Sequence, residues 1–297
     1  MPVGKPRLSA WRAGGFMVNR RFLARDRRPV TFSVATWNIN SVRLRIESVA
    51  RFLKEQAPDV LCLQETKCPD ANFPSAAFKE AGYEHIALNG QKGYHGVAIV
   101  SRHPFADTAA RDFCDKGDSR HMSVTLDGKF GGVEIHDFYV PAGGDEPDVK
   151  ANPKFAHKLD FVDEMGAWFQ RQPKAKGRAI LVGDLNIAPL EHDVWSHKAL
   201  LKVVSHTEVE IEKFTRAQKL GKWYDALRHF VPHDEKLYTW WSYRSPDWAG
   251  ADKGRRLDHV WVSPPLADAV KTMRVHRDAR GWERPSDHAP VTVEFSL

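Results

Sequence analysis

Ala179-Ile180-Leu181-Val182-Gly183-Asp184-Leu185-Asn186 is an apolar run that turns polar at its end. Consecutive apolar residues closed by a glycine read as a buried strand, here delivering an acid and an amide at its C-terminal tip. Upstream, Phe155, Leu159, Val162, Met165 and Phe169 recur at helical spacing, so a helix leads into this strand. The plan occurs earlier with different residues. Thr31 to Trp37 is β-branched and aromatic and ends at Asn38; Val42, Ile46, Val49, Ala50 and Leu53 form a helical stripe; Val60 to Leu63 is a second buried strand, ending in Gln64-Glu65-Thr66-Lys67. Ser41 reads as the N-cap of that first helix, and Pro58 lies just past its end. The result is a β-α-β unit, and its repetition predicts two structurally similar halves.

Further strand candidates are Gly96 to Ser101, His121 to Leu126, Val133 to Val140, Tyr238 to Tyr243, Leu257 to Val262 and Val291 to Phe295. Many apolar strands, few helices and polar tips predict sheets packed face to face with helices outside. Asp145 to Pro153 and Arg244 to Arg256 read as long surface connections.

Composition narrows the function. Of the 297 residues, 42% are hydrophobic and 28% charged, which excludes disordered and collagenous chains. The longest apolar runs are short bursts such as Val97-Ala98-Ile99-Val100, far below the roughly 18 residues a bilayer span needs. The net charge of +6 is uneven: residues 1–30 hold eight basic side chains and one acid, leaving 36 basic against 37 acidic residues in the rest. Bulk charge therefore does not establish a polyanion partner, which a local basic face must hold instead. The basic leading segment reads as a flexible arm, a targeting peptide or translation from an upstream start, with Met17 as an internal initiator. Its apolar stretch from Gly14 to Val18 is too short for a secretory signal, and Cys62, Cys68 and Cys114 form no CxxC pair. Neither a disulfide framework nor a zinc site is indicated, and reduced, cytoplasmic life is the simplest inference.

The polar strand tips carry the chemistry. In Asp184-Leu185-Asn186 a period of two sends carboxylate and amide to one side while Leu185 packs inward. Asn38-Ile39-Asn40 has the same form, Glu65 follows a buried run, Asp258 interrupts the apolar stretch Leu257 to Val262, and Asp287-His288 feeds the last strand. If these tips converge, they make an oxygen-rich pocket with one imidazole, which suits Mg²⁺, whereas zinc would call for more His or Cys. Singly, each acid or amide reads more readily as a turn former or helix cap. Asp258 differs, because an acid in an apolar run needs a partner, and His288 would serve. Tyr139, between Phe138 and Val140, reads equally as a core phenol. The glycine-rich Gly90-Gln91-Lys92-Gly93-Tyr94-His95-Gly96 lacks the ending of a P-loop and reads as a hairpin turn; no GxSxG or HExxH element is present. Trp240, Trp241 and Tyr243 beside Arg244 combine aromatic faces with a cation, as stacking on unpaired bases requires. A strand core uses the same residues, at least for one of the two tryptophans.

In chain order stand TWNINSVR (36–43), LQETK (63–67), GQKGYHGVA (90–98), FYVPAG (138–143), GDLNIAP (183–189), WWSYRS (240–245), RLDHVWVS (256–263) and PSDHAPV (285–291). Together they resemble the exonuclease III / apurinic-apyrimidinic endonuclease family of the endonuclease-exonuclease-phosphatase superfamily, over about residues 31 to 297. The resemblance implies a four-layered α/β sandwich, two mixed β-sheets packed face to face and flanked by helices, forming one catalytic domain. It also implies roles. Glu65 is the principal Mg²⁺ ligand (Mn²⁺ a possible substitute), helped by Asp287, Asn38 and Asn40, with Asp184, Asn186 and His288 also within the metal-binding set. Asp184 activates water, Asn186 and His288 hold the scissile phosphate, Asp258 orients and charges His288, and Tyr139 contacts that phosphate or assists proton transfer. Arg120 reaches the DNA backbone, Trp240 and Leu257 wall the abasic-sugar pocket, and Trp241 and Arg244 join the DNA-binding face. One departure is Arg255, where the family often carries an apolar residue.

The implied activity is Mg²⁺-dependent hydrolysis of DNA 5′ to abasic sites, with 3′–5′ exonuclease and 3′-end-cleaning phosphatase action. The expected partner is double-stranded DNA, abasic or 3′-blocked, met in the cytoplasm at the nucleoid by a monomer without membrane attachment. Two alternatives share the pattern: a phosphoesterase acting on inositol phosphates or phospholipid head groups, and a catalytically silent nucleic-acid binder. The aromatic-plus-Arg segment favours DNA, and carboxylates placed beside phosphates argue against a pure binder.

Overall fold

In the computed structural model residues 30–171 and 177–297 are described. The basic segment expected over residues 1–30 thus lies outside the described residues, apart from Val30. The strands run β1 (Thr31–Asn38), β2 (Val60–Gln64), β3 (His85–Asn89), β4 (Val97–Ser101), β5 (Phe105–Ala110), β6 (His121–Leu126), β7 (Val133–Tyr139), β8 (Arg178–Asp184), β9 (Tyr224–Asp225), β10 (Trp240–Trp241), β11 (Gly254–Arg255), β12 (Asp258–Val262), β13 (Val270–Val275) and β14 (Val291–Ser296). Helices are α1 (Ile46–Gln56), α2 (Ser75–Glu80), α3 (Pro153–Arg171), α4 (His197–Leu200), α5 (Glu208–Leu220) and α6 (Trp248–Ala251).

Among the described residues the strands build two six-stranded sheets, ordered β13-β14-β1-β2-β4-β3 and β5-β6-β7-β8-β12-β9. Each contains one parallel pair, β1 with β2 and β7 with β8, and antiparallel neighbours otherwise. The two halves share this plan because in each a helix, α1 or α3, returns the chain for parallel pairing.

Period-two alternation explains the layering. From β1 and β2, Val34, Val60 and Cys62 face the other sheet, meeting Ile135, Ile180 and Val182. Their alternates Ala35, Trp37, Leu61 and Leu63 pack under α1 and α2. On the far side Phe138, Leu181 and Trp261 pack under α3 and α5. Burying each such aliphatic side chain contributes about 1.5–3 kcal/mol, so the two sheets are bound face to face, with helices outside.

Several local expectations change. Helix α1 starts at Ile46 after Arg45 rather than at a Ser41 cap. Asn40 and Ser41 both take positive φ, and this corner lets Ser41 N–H donate to Glu65 O at 2.7 Å and Val42 N–H to Thr66 O at 3.2 Å. The extended strand expected over Tyr238 to Tyr243 is only β10, which pairs with β11 as a two-stranded ribbon outside both sheets. The connection Arg244 to Arg256 carries α6 and β11. Gly90 to Gly96 closes the antiparallel β3–β4 hairpin as expected.

Candidate active site

The parallel strands release their chain at one end of the sandwich, and three of the releases use the left-handed backbone region. Asn40 follows β1 with φ 48°, Glu65 follows β2 with φ 52°, and Asn186 follows β8 with φ 53°. Such backbone costs roughly 1–3 kcal/mol per residue and persists where surrounding contacts impose it. The expected placement holds, reached by a turn rather than by extended backbone: Asp184 ends its strand, Leu185 is fully buried, and Asn186 turns back so that its Nδ2 meets Asp184 Oδ2 at 3.0 Å. Gly183 makes room beside this acid, since at φ +138° a Cβ would lie 1.9 Å from Phe138 O.

Asn38 links the sheets. Its Nδ2 donates to Glu65 Oε1 at 2.9 Å and to Asp184 Oδ2 at 2.8 Å, while its Oδ1 accepts from Asn40 N–H at 3.0 Å. Asn38 therefore presents donors to the acids, while its oxygen accepts from Asn40 N–H and closes its own turn. Tyr139 Oη donates to Glu65 Oε1 at 2.8 Å, a second contact between sheets. Burial, with the charges of Glu65 and Asp184, raises this phenol well above its usual range, so it remains a donor. One layer inward, Gln64 Nε2 donates to Thr36 Oγ1 at 2.9 Å and Asp137 Oδ1 at 2.6 Å.

Two clusters result. In the first, Lys67 Nζ sits 2.7 Å from Glu65 Oε2 and 2.6 Å from Asn40 Oδ1. Asn40 Nδ2 contacts Asp287 Oδ1 at 3.3 Å, and Trp240 Nε1 donates to Asp287 Oδ2 at 2.9 Å. Burial opposes ionisation of Glu65, but Lys67, Asn38 and Tyr139 outweigh it and hold its pKa below the ordinary value. The ammonium marks a point where hard oxygens already accommodate a cation, and such a donor set fits Mg²⁺. Lys67, at the end of the Gln64-Glu65-Thr66-Lys67 stretch, joins this cluster beside the expected residues.

In the second cluster, Asp184, Asp258 and His288 bring ligating atoms within 4.8 Å of one another. His288 Nδ1 bonds Asp258 Oδ2 at 2.8 Å, and its Nε2 lies 3.7 Å from Asp184 Oδ2. Burial would lower the imidazole pKa, but Asp258 and Asp184 hold it up to about 10. Burial, resisted by His288 and aided by Asp258, pushes Asp184 up to about 7. The imidazolium thus sits between two carboxylates. The neighbouring His259 shows the contrast: fully buried beside Arg256 and bonded to Ile187 O at 2.8 Å, it is depressed to about 3 and stays neutral.

Supporting contacts hold the loops. Trp37 Nε1 donates to His288 O at 3.0 Å, Ser286 Oγ to Asn38 O at 2.6 Å, and Thr239 Oγ1 accepts from the N–H groups of Leu257 and Asp258 at 3.1 and 3.0 Å. Beneath Asn186 lies a buried ion pair, Lys158 Nζ to Glu210 Oε1 at 2.5 Å, with Lys158 also donating to Asn186 O at 2.7 Å. These residues carried no motif signal. Glu210, however, closes a capping box with Thr207 that was legible as Thr-x-x-Glu.

Above both clusters opens a cleft of about 710 Å³, lined by Glu65, Asp184, Asn186, Trp240, Leu257 and His288 among others. Arg244 also lines it and is exposed. Two residues expected at the DNA face do not reach it. Trp241 is 2% exposed, packs on Tyr238 and Ala289, and donates to Asp252 Oδ1 at 3.0 Å. Arg120 is buried, paired with Asp118 at 2.9 Å and lying 4.8 Å above the Tyr139 ring. The apolar surroundings of the first and the ion pair of the second turn them inward.

An acidic and amidic centre at the strand ends of a four-layered α/β sandwich, open to a cleft with an aromatic wall, defines a phosphoesterase. Residues 35–288 match the endonuclease/exonuclease/phosphatase family. The chain is 29% identical to exodeoxyribonuclease III of Haemophilus influenzae over 270 residues, covering 88% of this chain and 98% of the relative. Among solved structures, an AP endonuclease from Archaeoglobus fulgidus superposes with TM-score 0.83 and 32% identity, covering 90% of this chain and 100% of that one. A Neisseria 3′ phosphatase, NExo, bound to a product DNA hairpin, superposes at TM-score 0.81 with 34% identity and the same coverage. The chain belongs to this family, in its exonuclease III / AP endonuclease branch, and is a nuclease of the DNA-repair type.

Proposed function

We propose that the protein is a Mg²⁺-dependent hydrolase of DNA phosphodiesters that incises 5′ to abasic sites and trims or unblocks 3′ ends, acting as a monomer in the cytoplasm. The observation that carries this reading is the meeting of Asp184 and the Asp258-charged His288 on the floor of a cleft walled by Trp240 and Leu257. Asp184, with its pKa near neutrality, is suited to take a proton from water. Asn186 N–H and Nδ2 orient its carboxylate, each at 3.0 Å. The His288 imidazolium meets negative charge developing on a non-bridging phosphoryl oxygen. Asp258 holds the ring by Nδ1 and leaves Nε2 toward the phosphate. Tyr139, a permanent donor, holds Glu65 in place. Glu65, Asp287 and Asn40 would hold the metal, which when bound supplies Lewis-acid stabilisation of the phosphoryl and leaving oxygens. Trp240 and Leu257 present apolar surface for a deoxyribose without its base.

The deciding assay offers a labelled duplex carrying one abasic analogue beside an inositol polyphosphate, with Mg²⁺. Incision of the duplex 5′ to the analogue is expected; release of phosphate from the inositol compound alone overturns the reading. In Trp240→Ala, abasic selectivity is expected to weaken while hydrolysis of a simple phosphodiester persists.

A further inference from the structure

Beneath the contacts of Asn38, Glu65 and Tyr139 a second polar layer lies between the sheets. Thr36 stands two residues before Asn38 on β1, Gln64 ends β2 just before Glu65, and Asp137 stands two residues before Tyr139 on β7. All three are 0% exposed. Gln64 Nε2 spends both its hydrogens, on Thr36 Oγ1 at 2.9 Å and on Asp137 Oδ1 at 2.6 Å. Two oxygens of the joined groups, Gln64 Oε1 and Asp137 Oδ2, are then buried with no hydrogen-bond partner among the described residues. The neighbours of Asp137 along β7 and across to β8 are Ile135 and Val182, both apolar. The titratable side chain facing it is Cys62 on β2, a thiol that burial itself keeps neutral. Burial lifts the Asp137 carboxyl well above its ordinary range, and the groups that resist, Gln64 and the Ala98 backbone, bring no positive charge.

An ionised carboxylate only accepts, so it would leave Gln64 Oε1 without a donor and itself without a countercharge. A carboxylic acid donates, and one proton serves both orphaned oxygens. Resting on the reading of Glu65 as the residue that holds the metal, we infer that Asp137 is a neutral acid whose Oδ2–H donates to Gln64 Oε1, closing a two-bond acid–amide bridge from β7 to β2 that positions Glu65. Asp137 touches no substrate and acts through Gln64, so it is a positioning residue. Glu65 follows the bridge on one strand and Tyr139 on the other, and the bridge sets the separation over which their 2.8 Å contact forms. A buried polar pair of this kind stabilises only when every member is satisfied, which ties the exact strand spacing to the proton.

The test compares the full-length protein with Asp137→Asn, which is neutral and offers Gln64 both an acceptor and a donor, and with Asp137→Val, which offers neither. In buffer more alkaline than the Asp184 pKa of about 7, the wild-type infrared spectrum should hold a carboxylic-acid carbonyl band that Asp137→Asn lacks. On a labelled abasic duplex with Mg²⁺, Asp137→Asn should keep kcat within a few-fold of wild type. Asp137→Val should lower kcat by about 10²-fold, the scale of a 1 Å misplacement, with KM little changed and more Mg²⁺ needed for half-maximal rate. Should the Val variant not fold, Asp137→Ala, which adds no bulk, is read in its place. Absence of the band, or Asp137→Asn as impaired as the apolar variant, overturns the proposal. So does an apolar variant with wild-type kcat and Mg²⁺ requirement, whatever its melting temperature, since the pair would then serve packing alone. A wild-type protein that shows the band but does not incise the duplex overturns the nuclease reading instead, so the two failures are distinguishable.

Discussion

His288 Nδ1 and Asp258 Oδ2 are 2.8 Å apart, with His288 4% exposed and Asp258 fully buried. A neutral amide in place of the acid keeps the shape but removes the charge that holds the proton on the ring. For Asp258→Asn, kcat is expected to fall by about 10²–10⁴-fold with a much smaller change in KM. Steady-state kinetics on a labelled duplex check this, and activity within a few-fold of wild type overturns the pairing as a functional one.

Opposite protonation states in one cluster predict a bell-shaped pH profile. Asp184 must be ionised to accept a proton, so activity should rise as pH passes its raised pKa of about 7. His288 must be protonated, and activity should fall as pH approaches its pKa of about 10. Both shifts are upward, so both contributions to stability are lost as pH rises: that of Asp184 from about 3.8 to about 7, and that of His288, complete below about pH 6.5, through about 10. Asp184→Asn should lower turnover by orders of magnitude while duplex binding persists, as read by kinetics and by electrophoretic mobility.

The Lys158–Glu210 pair lies where solvent does not reach, with both side chains 0% exposed. Burial drives the Lys158 pKa down and Glu210 opposes it. Removing one partner strands the other charge, so Lys158→Met should cost roughly 3–5 kcal/mol in urea unfolding. Joining it with Glu210→Gln should recover part of the loss. Catalysis should not recover in parallel, because Asn186 O would still lack its donor.

Gly183→Ala tests the backbone beside the base. A methyl group there would meet Phe138 O at 1.9 Å, and neither strand can retreat without breaking the β7–β8 ladder. Destabilisation above about 3 kcal/mol is expected, and a soluble variant with wild-type melting temperature would show that the strands can part.

Chelation by EDTA should abolish cleavage, and Mg²⁺ should restore it. With substrate absent, Mg²⁺ should raise the melting temperature, and Glu65→Gln should remove that rise. A Glu65→Gln protein stabilised by Mg²⁺ as strongly as wild type would place the ion elsewhere.

Legibility in the sequence followed burial. β2, β4, β8 and β12 are buried along their whole length or nearly so; apolar runs announce the first three, and in β12 Asp258 and His259 stand inside the apolar stretch. β5 and β13 lie at sheet edges; β5 is exposed along nearly its whole length, and β13 buries only Val270 fully, so neither carries an apolar run or a clean alternation in the sequence. At the site, Glu65, Asp184, Asp258 and His288 were readable because polar residues at the tips of apolar strands are conspicuous. What the side chains do there was less readable. The inward turn of Arg120 depends on Asp118 and the Tyr139 ring, and the donor role of Asn38 depends on Asn40 N–H, contacts that no spacing encodes. Trp240 and Trp241 are adjacent and chemically alike, and only the register of the β10–β11 ribbon sends one to the cleft and the other to the core.

Glu65 rides on one sheet and Asp184 on the other, joined across the gap by Asn38 and Tyr139. The side chains between the sheets therefore act as a spacer that gauges how far the cation locus stands from the proton acceptor. An added methylene at Cys62 or Val182, remote from any substrate, would widen that span as a shim widens a joint. Because such sites tolerate misplacements of well under about 1 Å, turnover would register the thickening of the sandwich before its melting point did.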